Sequence, residues 1–406
     1  MGLAHSPKIV TDGLSFIYDT GSGKSYKGEP AENLWDSMLN TQALRSHTKH
    51  YWDGYKWLEN ATYSNPGVEG PKGTYLGLVF KHTSGAINSV WSGNSYGYML
   101  RDIVCTSGAT FTQSCWIYTS EDCDVTAIPS VIEGESGGES AVTGYPASYD
   151  LTNKGTWQVT AKKAISDGNT RFIPLYPRKN GVTDGSFTGF FMWSLPQVVA
   201  GSHVVQPIQP GVTRSTTQGL LDLTKNETIT LSNMSYDSNA QISLDGTDDQ
   251  FQISDPGVGT SFSIEVVIKV NSYSNGPIFV SPSSVGIDHF FRVLNNGKFS
   301  ANFVEVPDTA NDGYTSTTVI NTGEYYHVVI SKTPSNGTIY VNGVAEDSHT
   351  PTLAAAAWSG DWRIGARWNN TYNLNGEIPI LKVYNKALTA SEVLQSYNAI
   401  KDRFIR

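Results

Sequence analysis

Charged residues are scarce in this sequence of 406 residues, where they make up 16% of the total. The 28 lysines and arginines are outnumbered by 37 aspartates and glutamates, which leaves a formal net charge of −9, and the sequence contains no block of basic residues. Proteins that bind nucleic acid through its phosphates carry such a basic patch. The sequence therefore predicts that nucleic acid is not a partner.

Long apolar runs and an export signal are also missing. No stretch approaches the roughly 20 apolar residues that a membrane-spanning helix needs. The opening MGLAHSPKIV lacks the basic segment and the apolar run of a secretory signal. We therefore expect no membrane insertion, and assembly in a cytoplasm rather than secretion.

Residue sets for common catalytic chemistry are absent as well. The three cysteines form an odd set without the Cys-x-x-Cys spacing of zinc or redox sites. His47 and His50 lack the accompanying glutamate of a zinc protease. A glycosidase needs two carboxylates that flank one bond, whereas Glu265 stands alone in its predicted strand, and Glu133 and Glu135 lie in a Gly/Ser-rich segment. The sequence predicts a protein that is not an enzyme, with glycoside hydrolase as the alternative.

Strand-forming and turn-forming residues are abundant instead. Apolar positions alternate along 262–270 and 325–332, as in strands with one buried face, and the Asn336-Gly337 pair that follows is a strong hairpin signal. The first half holds further strand-like segments at 110–118, 156–161, 171–176 and 189–193. This pattern predicts an all-β protein with two β-sandwich or jelly-roll domains.

The last residues change to a helical period. Thr389 is placed to cap a helix, and Glu392, three residues later, completes a capping box. Leu388 and Val393 have the spacing of a hydrophobic staple. The sequence therefore predicts one short amphipathic C-terminal helix that packs against a sandwich.

Several segments of the second half occur in a familiar order. They are 242–251 (ISLDGTDDQF), 326–330 leading to 340–343 (YVNG), 362–365 (WRIG) and 376–385 (GEIPILKVYN). With the closing helix they cover most of residues 215–403 and resemble laminin G-like domains of the concanavalin A class. The combination of the ending ALTASEVLQSYNAIKDRF with the opening IVTDGLSFIYDTGSGKSY is similar to structural proteins of tailed bacteriophages, cyanophages especially.

The opening segment implies a discontinuous domain. In domains of this kind the first strand, here 13–18, is followed at once by a segment like 219–231, but a long block separates the two here. The resemblance therefore predicts a concanavalin A/laminin G-like sandwich built from 1–32 and 211–406. The block 33–210 would be an inserted domain, because its end is similar to carbohydrate-binding-module-like jelly rolls.

Aromatic and polar residues are concentrated in one segment of the second half. Aromatic faces stack on sugar rings, and amides and guanidinium groups bind sugar hydroxyls. The candidate glycan-binding residues are Trp358, Arg367, Trp368, Asn369, Asn370 and Tyr372. The alternative for Trp358, as for the nearby Trp362, is a place in the core.

Three aspartates form the one candidate metal site. Asp245, Asp248 and Asp249 offer hard oxygen ligands at a spacing that could hold calcium. The same residues more often cap a turn before the next strand. No other cofactor is predicted.

The resemblance implies a function in a virus particle. It predicts a non-enzymatic structural or decoration component of a bacteriophage virion, located in the head, the neck or a tail fibre-like part, and assembled in the host cytoplasm. Its expected partners are other virion proteins of the capsid, neck or tail, further copies of itself in a homo-oligomer, and host cell-surface glycans that it binds weakly. The alternative is a tail-fibre adhesin that recognises bacterial surface polysaccharide.

Overall fold

Strands and one C-terminal helix account for the regular secondary structure that the computed structural model describes. The described residues are 8–34, 79–88, 101–102, 108–124, 126–133, 140–141, 154–165, 170–178, 184–201, 205, 208, 212–237, 241–282, 288–303, 313–350, 358, 360–367 and 372–405. In chain order the elements are β1 (Leu14–Asp19), β2 (Ala31–Glu32), β3 (Val79–Asn88), β4 (Arg101–Asp102), β5 (Thr110–Thr119), β6 (Thr126–Glu133), β7 (Ser140–Ala141), β8 (Trp157–Ile165), β9 (Thr170–Arg178), β10 (Asp184–Ala200), β11 (Thr213–Arg214), β12 (Thr230–Ser232), β13 (Leu244–Asp245), β14 (Gln250–Ile253), β15 (Phe262–Ser272), β16 (Pro277–Pro282), β17 (Asp288–Val293), β18 (Phe299–Asn302), β19 (Tyr314–Thr315), β20 (Tyr325–Lys332), β21 (Gly337–Val341), β22 (Val344–His349), β23 (Trp362–Ile364), β24 (Asn375–Tyr384) and α1 (Ala390–Phe404).

The strands pair antiparallel in several sheets, and the chain divides into two compact units. One unit combines Met1–Glu29 with Ser215–Arg406, and the other is Pro30–Arg214. The predicted all-β class with a short C-terminal helix is confirmed. That the first unit folds as one discontinuous domain stays a prediction.

Two seven-stranded sheets form the first unit. One has the order β1-β24-β15-β20-β21-β22, with β13 also paired to β24. The other has the order β12-β14-β23-β16-β17-β18-β19. The N-terminal strand β1 thus pairs with β24, the last strand before the helix, from Leu14 opposite Tyr384 to Asp19 opposite Ile380.

The main core of this unit contains side chains from both sheets. Ile264 and Val266, two residues apart in β15, point to the same face because side chains alternate along a strand. They belong to one buried cluster with Trp362 of the other sheet. Tyr18 of β1 meets Phe251 of β14 edge to face, with ring centroids 5.5 Å apart. The predicted alternation in 262–270 therefore marks a strand whose one face lines this core.

Helix α1 covers the outer face of the first sheet. Val267, which points away from the main core, packs with Ile380 of β24 and Ile400 of the helix. The helix begins with the predicted capping box, in which Thr389 accepts from the backbone N–H of Glu392 and the Glu392 carboxylate accepts from the backbone N–H of Thr389. The strand thus buries both of its faces.

The second unit contains two four-stranded sheets, with the orders β3-β10-β5-β8 and β4-β9-β6-β7, and the short pair β2-β11. The four strand-like segments predicted in this half fall in β5, β8, β9 and β10. In β2 and β11, Ala31 lies opposite Arg214 and Glu32 opposite Thr213, so the first and last strands of this unit run side by side. The likeness to a carbohydrate-binding module stays a prediction.

Two further sequence-based expectations concern cysteines and membranes. Cys115 and Cys123 are buried and free of disulfides, whereas Cys105 lies outside the described residues. Within the described part of the chain, no helix has both the length and the apolar character needed to cross a membrane.

Candidate functional site

Five of the six candidate glycan-binding residues belong to the loop between β23 and β24, whereas Trp358 precedes β23. Ala366 and Asn373 form a bridge across the base of this loop, and the backbone N–H of Arg367 donates to the carbonyl of Tyr372 at 3.2 Å. Both side chains are exposed, Tyr372 by 41%. The base of the loop therefore places two exposed residues, an arginine and a tyrosine, opposite each other.

The remaining candidates of this segment differ in placement. Trp368, Asn369 and Asn370 lie outside the described residues. Trp358 is partly buried, and its ring stacks on that of Trp362 with centroids 4.7 Å apart and contacts His289 at 4.5 Å. Among the described candidates, Tyr372 is the aromatic residue with a solvent-facing ring, while Trp358 packs against the core.

The three candidate calcium ligands lie together in the turn between β13 and β14. Asp245, Asp248 and Asp249 each place an oxygen within 4.8 Å of the others. Asp249 is buried and accepts from the backbone N–H groups of Ser235 and Asp245. Burial, only partly offset by these hydrogen bonds, raises the pKa of its carboxyl to about 6.

The three aspartates also accept hydrogen bonds that need no metal. The Asp245 carboxylate accepts from the N–H of Thr247 at 2.6 Å, and the Asp248 carboxylate accepts from the Asn233 amide at 2.9 Å. Asp245 and Asp249 thus fix this turn, as turn-capping aspartates do, and Asp248 joins it to Asn233. The carboxylate oxygens have further lone pairs and are suitable calcium ligands. Calcium binding by the cluster stays a prediction.

The aspartate turn and the base of the aromatic loop are neighbours. The Asn373 amide donates to the carbonyl of Thr247, and Asp245 lies opposite Asn375 in the pairing of β13 with β24. The structure therefore brings two candidate sites to one end of the sandwich. Sequence reasoning missed Asn373, because nothing in its local sequence distinguishes an amide that joins two loops from any other loop asparagine.

The lone strand glutamate, Glu265, belongs to a buried polar cluster beneath α1. Its carboxylate lies 2.6 Å from the Lys382 ammonium and 3.2 Å from His327 Nε2. It also accepts from the hydroxyls of Ser396 at 2.6 Å and Tyr384 at 3.0 Å. All five residues are buried, so the cluster fastens the helix to the sheet.

Comparisons with known proteins agree with this architecture in the second half of the chain. Residues 245–394 match the family model of the concanavalin A-like lectin/glucanases superfamily, Laminin_G_3. This part of the chain is therefore a concanavalin A-like lectin/glucanase domain, as the resemblance predicted. A comparison with curated proteins gave no match.

Several solved structures are similar over part of the chain. A sialidase of Trypanosoma rangeli in complex with 2,3-difluorosialic acid is 14% identical, with 45% of this chain and 31% of the sialidase covered and a TM-score of 0.37. The native SAP-like pentraxin of Limulus polyphemus is 17% identical, with 37% and 78% covered and a TM-score of 0.30. Domain 4 of AbnA, a GH43 extracellular arabinanase of Geobacillus stearothermophilus, in complex with arabinotriose, is 17% identical, with 45% and 93% covered and a TM-score of 0.33. The matched region thus spans less than a third of the sialidase.

Proposed function

We propose that this chain is a non-enzymatic, glycan-binding structural or decoration component of a bacteriophage virion. The observation that carries the glycan-binding part is the pair of exposed residues, Arg367 and Tyr372, whose backbones are hydrogen-bonded across the base of one loop. Fold alone does not fix function. The proposal therefore rests on this loop for binding and on the sequence resemblance for the virion.

The chemistry of the loop suits a sugar. A tyrosine ring offers an apolar face to the C–H face of a pyranose, and a guanidinium group donates several hydrogen bonds to hydroxyl or carboxylate oxygens. Asn369 and Asn370, between them in sequence, add amide groups of the kind that bind sugar hydroxyls. The neighbouring aspartate turn, with Asp245 exposed, offers further acceptors or a calcium ion.

The buried position of Glu265 supports a role without catalysis. A glycosidase presents two carboxylates to its substrate. Glu265 is fully buried, and its two oxygens are occupied by Lys382, Ser396 and Tyr384. Its charge serves the attachment of α1. A glycoside hydrolase is the alternative. An assay for reducing sugar released from a polysaccharide would detect its activity.

Binding by a single open loop would be weak, and many copies on one particle would compensate for that. Linked sites raise avidity by about 10²–10⁴ without any new contact. We therefore propose display in several copies, as a homo-oligomer joined to other capsid, neck or tail proteins. A tail-fibre adhesin for bacterial surface polysaccharide is the second candidate, and it shares the same loop.

Alanine at Tyr372 is expected to lower glycan affinity about fivefold, because an aromatic stacking face contributes on the order of 1 kcal/mol. The measurement is binding of the full chain to an array of bacterial surface glycans, with thermal unfolding recorded in parallel. Trp368→Ala, at a position outside the described residues, is expected to act in the same direction. Leu394→Ala, on the exposed face of α1, is the matched control. Equal binding by Tyr372→Ala and the control would contradict the proposed loop.

Placement in a virion is testable without knowing the glycan. We expect an antibody against the chain to label purified phage particles in immunogold electron microscopy, at the head, neck or tail. Particles that carry Tyr372→Ala should assemble normally and adsorb more slowly to host cells. If purified particles contain none of this chain, the virion assignment is wrong while the glycan array still tests the loop.

A further inference from the structure

A second exposed aromatic ring lies on the first unit, directly after β15. Tyr273 is 37% exposed, and its hydroxyl donates to the carbonyl of Ile320, which fixes the ring. Val319 is 56% exposed. A Cβ added to Gly297 would lie 3.0 Å from Tyr273 Cζ and 3.1 Å from Val319 Cγ1, so both side chains border this glycine. Together they form an apolar surface open to solvent.

Two asparagines are close in sequence to this apolar surface, since Asn275 follows Tyr273 by two residues and Asn296 precedes Gly297. The side-chain oxygen of Asn275 accepts from the backbone N–H of Asn295 at 3.0 Å, and that of Asn296 accepts from the N–H of Lys298 at 3.1 Å. With the oxygens engaged as acceptors, the NH2 group is the donor that each of these amides has left. They donate to no other group in the described part of the chain, so they can donate to a ligand.

This surface is joined to the proposed glycan loop. The hydroxyl of Ser274 donates to the carbonyl of Asn373 at 2.7 Å. Tyr273 precedes Ser274 in the chain, and Tyr372 precedes Asn373. Because consecutive Cα atoms are about 3.8 Å apart, the Cα atoms of the two tyrosines lie within roughly 15 Å of each other. An oligosaccharide of a few sugars covers such a span.

We infer that Tyr273, Val319 and the amides of Asn275 and Asn296 form a second sugar-binding subsite, so that the ligand is an extended glycan rather than a single terminal sugar. The inference rests on the proposed glycan-binding function of the Arg367–Tyr372 loop. Tyr273 and Val319 supply the stacking face, and the two amides supply donors for hydroxyl groups. Each chain would then hold one glycan strand at two points, which raises its affinity through linkage.

The test is a size series on the full chain. The probe is an array of bacterial surface polysaccharides and their fragments from monosaccharide to hexasaccharide, followed by affinity measurements on the best-bound hexasaccharide and its monosaccharide. Tyr273→Ala is expected to weaken hexasaccharide binding about tenfold and to leave monosaccharide binding unchanged. Tyr372→Ala is expected to weaken both. Tyr273→Phe, which keeps the ring, should bind nearly as wild type, and Val344→Ala, exposed elsewhere, is the surface control.

The outcomes separate the two proposals. If Tyr273→Ala binds the hexasaccharide as wild type while Tyr372→Ala does not, the second subsite is wrong and the loop stands. If wild-type protein binds no glycan, both proposals fail. If Tyr273→Ala instead lowers the oligomeric state in analytical ultracentrifugation with glycan affinity intact, the surface is a protein interface and the inference is overturned. A loss of folding by Tyr273→Ala is recognised by its thermal unfolding, and Asn275→Ala then provides the same comparison.

Discussion

Replacing Lys382 by methionine is expected to lower the free energy of unfolding by about 3–5 kcal/mol, the usual cost of leaving one member of a buried ion pair without its partner. Lys382 is 1% exposed, and its ammonium lies 2.6 Å from the Glu265 carboxylate and 3.0 Å from the Ser396 hydroxyl. Methionine fills a similar volume without the charge. Urea unfolding followed by tryptophan fluorescence measures the loss.

Two further variants serve as controls. The double variant Glu265→Gln/Lys382→Met removes both charges and is expected to regain much of the lost stability, because no uncompensated charge stays buried. Lys386→Met removes a solvent-screened pair with Asp12 and Glu392 and is expected to have a far smaller effect. If Lys382→Met were as stable as Lys386→Met, the buried pair would not hold the helix.

The same cluster sets an acid dependence. Burial alone would raise the pKa of Glu265, but the Lys382 ammonium and His327 outweigh burial and hold that pKa well below its usual range. Such a carboxyl stabilises the fold above its unfolded pKa of about 4.3, and this contribution is lost as the pH falls through the folded value. Between about pH 5 and pH 2 the wild type should therefore lose more stability than the double variant.

Removing residues 1–210, which include the first strand, is expected to leave a C-terminal fragment that aggregates. Such a fragment lacks β1, whose Phe16 and Tyr18 are fully buried, and a large buried aromatic side chain contributes roughly 3–5 kcal/mol when truncated to alanine. It also exposes the edge of β24, to which β1 is paired, and free edges recruit other chains. Size-exclusion chromatography and thermal unfolding of residues 211–406 measure both effects.

Restoring the first strand should rescue the fragment. Residues 1–32 fused directly to 211–406 bring β1 back, and the joint is feasible because the backbone N–H of Lys27 donates to the carbonyl of Gly219 at 2.8 Å. The fused protein is expected to be monodisperse or to form the native oligomer. Equal stability of the fused and truncated proteins would rule out the discontinuous domain.

Local sequence patterns predicted the strands and the helix, but they did not predict the long-range contacts between side chains. The Thr389 capping box could be identified because both partners lie within one helical turn, and the strands because burial on one face imposes a period of two. Glu265 looked like a lone polar residue, since its partner Lys382 is 117 residues away and carries no local signal. Trp358 is placed by its packing against Trp362. A cluster of aromatic residues in the sequence does not show whether each ring packs in the core or faces a sugar.

The pairing of β1 with β24 also governs the order in which the protein can fold during synthesis. Ser15 and Val383, joined across this pair, are 368 residues apart in sequence. At about 5–20 residues per second, the ribosome needs roughly 20–70 s to make the partner of the first strand. Through that interval the strand emerges ahead of every other part of its sheet, so a neighbouring nascent chain competes for it and strand-swapped assemblies are the characteristic error.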